Sequence, residues 1–528
     1  MIWLTLVSLL CSILAATVLV PVVRLMARRV GMVDAPDDER KLHREPIALC
    51  GGVAVFGSLL VGFVSTILYD RSFGDFDLGY VSARWYGLVF AAFAILVVGL
   101  IDDAWVMRGR QKLLLQILII SALVGSGTVV DKIGLMGFEI YLGSLAFPVT
   151  VLWLLVAVNA LNLIDGADGV ATTAGCFISL GLAVLSWEHG TPLGCIFSFC
   201  LAGSLIGFLF FNKPPATIFL GDAGSMVIGL LVGVLSVWGS VKGSTLLASA
   251  PVAILAVPLF DSAAAIARRW LTGRSIYATD RAHLHHLLQK KYGHFGMLFI
   301  VAGLCTLTTV LAIASAHYAM PWLALLGMIL AGTFLVVTRS FGHAECQLLM
   351  MKASHMTRSF FITPRQSSLE KNHRCLPLQG SGDWNLIWEP LVDFAQIHSL
   401  AKISIDLNLS WLHEGYHASW SDVRMPDRDK QVQVRWPIVI TAGRNQNTVN
   451  IGTLHVVASA TSPRIHERIA DLSLRLMDLE PQIQLIIAEL ERQHAAPADV
   501  RVAGIVPAPR YVGIERRAEP TPLVPSRH

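Results

Sequence analysis

The sequence predicts an all-α polytopic membrane protein of about 11 transmembrane helices with a C-terminal α+β cytoplasmic extension. Three observations carry this. Hydrophobic residues make up 54% of the 528 positions and charged residues only 15%, too few to cover a soluble surface of this size. Mean hydropathy is +0.59. Apolar runs long enough to cross about 30 Å of hydrocarbon recur until residue 340, where the composition turns polar.

In order, the runs occupy residues 2–23, 47–69, 84–101, 113–130, 145–162, 170–187, 193–211, 224–240, 245–265, 297–315 and 320–338. The first has neither a basic leader nor an A-x-A cleavage site, and is read as a retained helix rather than a signal peptide. One set of alternate loops holds Arg24, Arg28, Arg29, Arg40, Lys41, Arg44, Arg108, Arg110, Lys112, Lys213, Arg268, Arg269, Arg274, Arg281, Lys290 and Lys291. The other set holds only Arg71, Arg84, Lys132 and Lys242. The positive-inside rule makes the first set cytoplasmic, places the N-terminus outside and, with an odd number of spans, the C-terminus inside. The eight cysteines show no CxxC spacing, so neither a disulfide framework nor a zinc site is expected. The net charge of +4 is small, and no nucleic-acid partner is expected.

The polar motifs share the basic side. They are "DAPDDERKLHREP", "DDAWVMRGRQK", "NALNLIDGADG", "FNKPPATIFLGDAGS" and "RRWLTGRSIYATDRAHLHHLLQKK". An aspartate well inside a membrane helix costs about 2.5–3.5 kcal/mol on insertion scales, so Asp102, Asp103, Asp165, Asp168 and Asp222 call for a partner or a function. Carboxylates brought together repel unless a cation joins them. Oxygen ligands suit Mg²⁺, which keeps waters and bridges to substrate phosphates, and Lys41, Lys112, Arg274 and Arg281 would face those phosphates. At 100° per residue, Asn159 and Asn162 share a helix face while Asp168 opposes Asn159, so the asparagines are expected on a last helical turn and the aspartates on a loop that Gly166 and Gly169 unwind.

Each motif alone has a plainer reading. "DGADG" could be a turn and lacks the acidic spacing of an EF-hand. "GDAGS" could be a helix N-cap, and "HLHHLL" a set of solvated loop histidines.

Together, however, "DD" followed by "RxKLLLQ", "NALNLIDGADGVA", "FLGDAGS" and "DRAHLHHLL" resemble the polyprenyl-phosphate N-acetylhexosamine-1-phosphate transferase family (glycosyltransferase family 4), and most of all its bacterial undecaprenyl-phosphate GlcNAc-1-phosphate transferase branch. The resemblance covers residues 1–340 and implies transfer of an N-acetylhexosamine-1-phosphate, GlcNAc-1-phosphate first, from a UDP-sugar to undecaprenyl phosphate with release of UMP. That would be the first membrane step of a cell-envelope polysaccharide, in the bacterial inner membrane with the site cytoplasmic. It implies Mg²⁺, or Mn²⁺ in its place, at Asn162 and Asp222. Asp102, Asp103 and Lys112 would be catalytic, and Lys41, Asp165, Asp168, Arg281, His283, His285 and His286 would bind substrate, Asp168 at the uracil ring. Val106 replaces an acid found in some relatives, and Asp261 matches a family acidic position without an evident role. Rival readings are a phospho-MurNAc-pentapeptide transferase, a transferase for another UDP-N-acetylsugar, and an ion-coupled transporter, whose charges would sit at the bilayer midplane.

The division expected is a transferase domain at 1–340, a linker at 341–380, a cytoplasmic α+β module at 381–494 and a disordered tail at 495–528. Strand-like alternation runs through "AKISIDLNLSWL", "KQVQVRWPIVI" and "TVNIGTLHVVAS". A helix follows, capped by Ser462, with a kink or break at Pro481. Truncation after about residue 340 is expected to leave the chemistry intact. A homodimer and a cytoplasmic partner for the module stay open.

Overall fold

Twelve described helices precede residue 340 in the computed structural model, which describes residues 2–34, 46–73, 82–105, 107–135, 138–239, 249–272, 282–343, 345–347, 349–350, 373–379, 382–409, 412, 414–422, 430–442, 447–461 and 464–495. They are α1 (Ile2–Val30), α2 (Gly51–Phe73), α3 (Ala83–Trp105), α4 (Gly109–Gly125), α5 (Ala146–Ile164), α6 (Val170–Glu188), α7 (Pro192–Asn212), α8 (Gly221–Gly239), α9 (Ser249–Ile254), α10 (Ala256–Thr272), α11 (Leu284–His317) and α12 (Pro321–Val337). Small antiparallel pairs join β1 (Val33–Asp34) to β2 (Ile47–Ala48) and β3 (Lys132–Leu135) to β4 (Phe138–Tyr141).

Eight helices among the described residues are long and apolar enough to span a bilayer, so the chain is a multi-pass membrane protein, but the count of eleven is not reproduced. The shortfall has local causes. Helices α4 and α12 have 17 residues each, about 25 Å of rise. The described part of the run at 245–265 divides into a six-residue α9 and an α10 whose last turn holds Arg269. Helix α11, one of the eight, is interrupted at Gly293, where φ is 74°.

Burial explains the two kinds of apolar helix. Every residue from Ala223 to Gly239 is buried, so α8 is apolar all round because neighbours enclose it, α3 and α5 foremost. Helix α1 lies at the margin: Ser8, Ser12, Ala16 and Val20 face inward while Leu6, Leu10, Leu14 and Val18 are exposed, as suits a wall against lipid. The first turn of α8 is approached unusually closely. A Cβ added to Gly99 of α3 would lie 2.3 Å from the Ala223 Cα, so only glycine lets α3 end beside that turn. Across the other side, the Gly51 and Gly52 N–H groups donate to the carbonyls of Phe219 and Leu220, both at 3.0 Å, latching α2 to the segment that leads into α8.

A second hydrophobic cluster lies in the C-terminal region. Its sheet is antiparallel in the order β5 (His373–Gln379), β7 (Glu414–Ser421), β6 (Lys402–Leu409), β9 (Asn447–Ser459), β8 (Gln431–Ala442). Strand β6 buries Ile403, Ile405, Leu407 and Leu409 on one face, and α13 (Asn385–Ile397) and α14 (Ile465–Ala495) contribute Leu391, Leu472, Leu479 and Ile483 to the same cluster. Three strands coincide with the segments read as strands, whereas β5, β7 and α13 escaped that reading. Pro437 sits in β8, an edge strand, where a missing N–H costs no ladder bond. Of the kink or break expected at Pro481, a break is excluded, because α14 continues through it. Pro481 and Met477, whose carbonyl loses its donor, are both exposed, so water can replace the bond. Ser462, the expected cap, lies outside the described residues.

Candidate active site

Four helix ends meet at one end of the bundle, and each brings the residue its sequence places there. Helix α3 ends with Asp102 and Asp103, α4 begins near Lys112, α5 ends near Asn162, and α8 begins with Asp222. The Lys112 Nζ donates to Asp222 Oδ2 at 2.6 Å and to Asn162 Oδ1 at 3.3 Å, and pairs with Asp102 Oδ2 at 2.9 Å. One ammonium thus joins three oxygens from three helices. Asn162 Nδ2 donates in turn to Asp222 Oδ1 at 2.7 Å and to Ser225 Oγ at 3.0 Å.

The adjacent aspartates have different jobs, as neighbours 100° apart on a helix must. Asp103 accepts from the backbone N–H of Asp222 at 2.9 Å and of Ala223 at 3.2 Å. It therefore caps α8 from another helix, satisfying donors that have no intrahelical partner and placing negative charge at the positive helix end. Asp102 faces Lys112 and accepts from the Met107 N–H at 2.6 Å.

The asparagine pair also divides. Asn159, one turn deeper than Asn162, donates to Gln116 Oε1 at 3.0 Å, and the Gln116 Nε2 lies 3.0 Å from Met226 Sδ. Gln116 is four residues after Lys112 and Met226 four after Asp222, so a second polar layer repeats the contact of α4, α5 and α8 behind the first. Neither Gln116 nor Ser225 stood out in the sequence. The signal was their i, i+4 or i, i+3 relation to a site residue.

Helix α5 ends at Ile164 and α6 begins at Val170, so Asp165 and Asp168 are on a loop, as the residue spacing required. Asp165 is half-buried and its carboxyl is held well above the usual carboxylate range, by burial first and then by the negative charges of Asp222 and Asp103. Asp168 Oδ2 accepts from the Ala216 N–H at 2.9 Å, which ties this loop to the one leading into α8.

The histidines start α11. His283 Nδ1 lies 3.0 Å from Asp261 Oδ2; the His283 and His285 rings stack with centroids 5.8 Å apart, and His286 lies 4.2 Å from His285. The His285 ring presses on Gly166: a Cβ there would come 2.2 Å from Nε2. Gly166→Ala should therefore displace either the ring or the loop, with turnover falling at least about tenfold. Steady-state assay of the variant beside wild type checks this, and unaltered turnover would show the contact to be slack. Lys41 and Arg281 lie outside the described residues.

No group of three Asp, Glu, His or Cys side chains among the described residues forms a metal cluster. The donors that do converge nonetheless suit a hard cation. Two carboxylates and an amide carbonyl gather around the single positive charge of Lys112. Mg²⁺ is typically held by one or two carboxylates, with waters and substrate phosphates completing its shell.

Residues 85–240, which contain all four converging helix ends, match the model of a family described as glycosyl transferase family 4. The chain is 34% identical over 285 residues to a Bacillus subtilis (strain 168) protein described as "Probable undecaprenyl-phosphate N-acetylglucosaminyl 1-phosphate transferase", covering 53% of this chain and 76% of that protein. It is 32% identical over 305 residues to the decaprenyl-phosphate N-acetylglucosaminephosphotransferase of Mycobacterium tuberculosis (strain ATCC 25618 / H37Rv), covering 53% and 74%. It is also 28% identical over 324 residues to the undecaprenyl-phosphate alpha-N-acetylglucosaminyl 1-phosphate transferase of Escherichia coli (strain K12), covering 58% and 83%.

Proposed function

The chain belongs to glycosyl transferase family 4, and on that premise we propose that it transfers GlcNAc-1-phosphate from UDP-GlcNAc to undecaprenyl phosphate, releasing UMP, as the first membrane step of a cell-envelope polysaccharide. The observation that carries this reading is the meeting of Asp102, Lys112, Asn162 and Asp222 where four helix ends converge at one end of the bundle. An ion-coupled transporter would set its charges at the midplane instead. The basic loops argue that this face is cytoplasmic and the membrane a bacterial inner membrane, where a soluble nucleotide sugar and a lipid phosphate can meet.

The residues suggest direct attack by the lipid phosphate on the β-phosphate of the donor. A phosphate monoester with a second pKa near 6 is already largely dianionic at neutral pH, so it needs positioning more than deprotonation. Asp103 commits both oxygens to the backbone of α8, and Asp102 faces Lys112, so each carboxylate acts as a support. Lys112 would turn its charge to the phosphates, where a preorganised cation is worth most in a site shielded from water. Asp222 and Asn162 would hold Mg²⁺, which would stabilise negative charge developing on the diphosphate. Asp168 and the histidine turn, which meets the loop carrying Asp168 at Gly166, would receive the nucleotide and the sugar-diphosphate.

Purified protein given undecaprenyl phosphate, Mg²⁺ and a panel of UDP-sugars should release UMP with UDP-GlcNAc and stop on chelation, with Mg²⁺ or Mn²⁺ restoring release. Release with UDP-MurNAc-pentapeptide alone would move the chain to that branch. Silence with every sugar, in protein shown to be folded, would end the transferase reading.

A further inference from the structure

Helix α10 lies outside the segment that matches the family model, yet two of its side chains reach the turn that carries the histidines. Asp261 and Arg268 are seven residues apart, so they share a helix face two turns apart. Arg268 Nη2 donates to the Ala282 carbonyl at 3.0 Å, and Arg268 also pairs with Glu345. Asp261, fully buried, uses both oxygens: Oδ1 accepts from the Leu284 N–H at 2.7 Å, and Oδ2 is 3.0 Å from His283 Nδ1.

Leu284 is the first residue of α11, and His283, its N-cap, makes no side-chain cap of its own. The Asp261 carboxylate supplies that cap from another helix. An ionised carboxylate only accepts, so the His283 proton must sit on Nδ1, and a neutral ring then carries a lone pair on Nε2.

Resting on the transferase reading above, we propose that Asp261 is a positioning residue that seats the histidine turn and fixes His283 as the Nδ1–H tautomer, leaving Nε2 as the acceptor presented to substrate. His283 stacks on His285, and His285 rests on Gly166 of the loop that carries Asp165 and Asp168, so the turn set by Asp261 borders the nucleotide-side loop.

The test separates the tautomer from the cap. Asp261→Asn keeps the shape and the oxygen that receives the Leu284 N–H, but presents an NH₂ to His283 Nδ1 and so drives the proton to Nε2. Turnover of UDP-GlcNAc should fall about 100-fold with KM changed less than about threefold and the thermal midpoint retained, the split of a group that works in the transition state. In a His283→Ala background, Asp261→Asn should cause no further loss. His283→Asn, which keeps a donor for Asp261 but has no Nε2, should be folded and as impaired as His283→Ala. Asp261→Asn turnover within threefold of wild type would overturn the proposal, as would an equal further loss in the His283→Ala background, or an active His283→Asn, which decides the matter even if the Asp261 variant does not fold. An active wild type beside an indifferent Asp261→Asn would refute this assignment alone, whereas a wild type silent with every UDP-sugar would overturn the transferase reading and this assignment with it.

Discussion

Lys112→Met is expected to lower turnover about 10³-fold while the protein still folds. Among the described residues the ammonium is the only positive charge in the contacts that join Asp102, Asn162 and Asp222, and its removal turns two carboxylates toward each other. Stability should suffer less than activity. Breaking a fully buried pair costs about 3–5 kcal/mol, but Asp222 is 36% exposed, so solvent screens that half of the cluster and the loss should be about 1–2 kcal/mol. Arginine should not rescue the variant, because a planar fork does not fit a point charge held among three oxygens from three helices. Initial rates of UMP release and a thermal unfolding curve on the same preparation check both halves. Turnover within threefold of wild type would remove Lys112 from the chemistry.

The second large effect concerns where the membrane unit ends. A chain cut after residue 340 loses Phe341, which is 4% exposed within the membrane core cluster, and Glu345, the carboxylate facing Arg268. Arg268 is itself 3% exposed, so the cost approaches that of a fully buried pair, about 3–5 kcal/mol. Burial of a phenylalanine adds about 1.5–3 kcal/mol. The consequence extends to the site, because Arg268 also holds the Ala282 carbonyl beside His283. A chain cut after residue 350 keeps both side chains and should be recovered folded and active, whereas one cut after 340 should be recovered poorly and turn over slowly. This prediction differs from the sequence-based expectation that chemistry survives a cut at about 340. Equal yield and equal turnover of the two truncations would restore it, and Glu345→Ala in the full chain should move the thermal midpoint in the same direction.

These two predictions show where sequence reading stops. The hydrophobic run ends at Val337, and nothing in "RSFGHAECQ" says that a phenylalanine and a glutamate fold back into the membrane unit. Helix α4 was legible as apolar, but whether 17 residues cross the bilayer was not, since length and hydropathy alone cannot distinguish a short span from a helix packed inside. In the C-terminal region the alternation of β6, β8 and β9 was plain, while β7 alternates Tyr416, Ala418 and Trp420 with His417, Ser419 and Ser421 but holds no Val, Ile or Thr to announce a strand.

The sequence by itself determined the class of protein and the residue types that its polar loops bring to the site, because hydropathy and loop composition act through short stretches of chain. It also led to the expectation that the asparagines belong to a helix and the aspartates after them to a loop, because at 100° per residue one continuous helix cannot aim all four inward. Only the tertiary structure decided which oxygen meets which nitrogen: that Asp103 caps α8 while Asp102 faces Lys112, that Asn159 withdraws to a layer with Gln116, and that Asp261 holds the histidine turn. Apart from the Asp102–Lys112 pair, which joins the ends of two successive helices, these contacts join residues at least 22 positions apart, and such pairings are set by how whole helices pack, which no local pattern records.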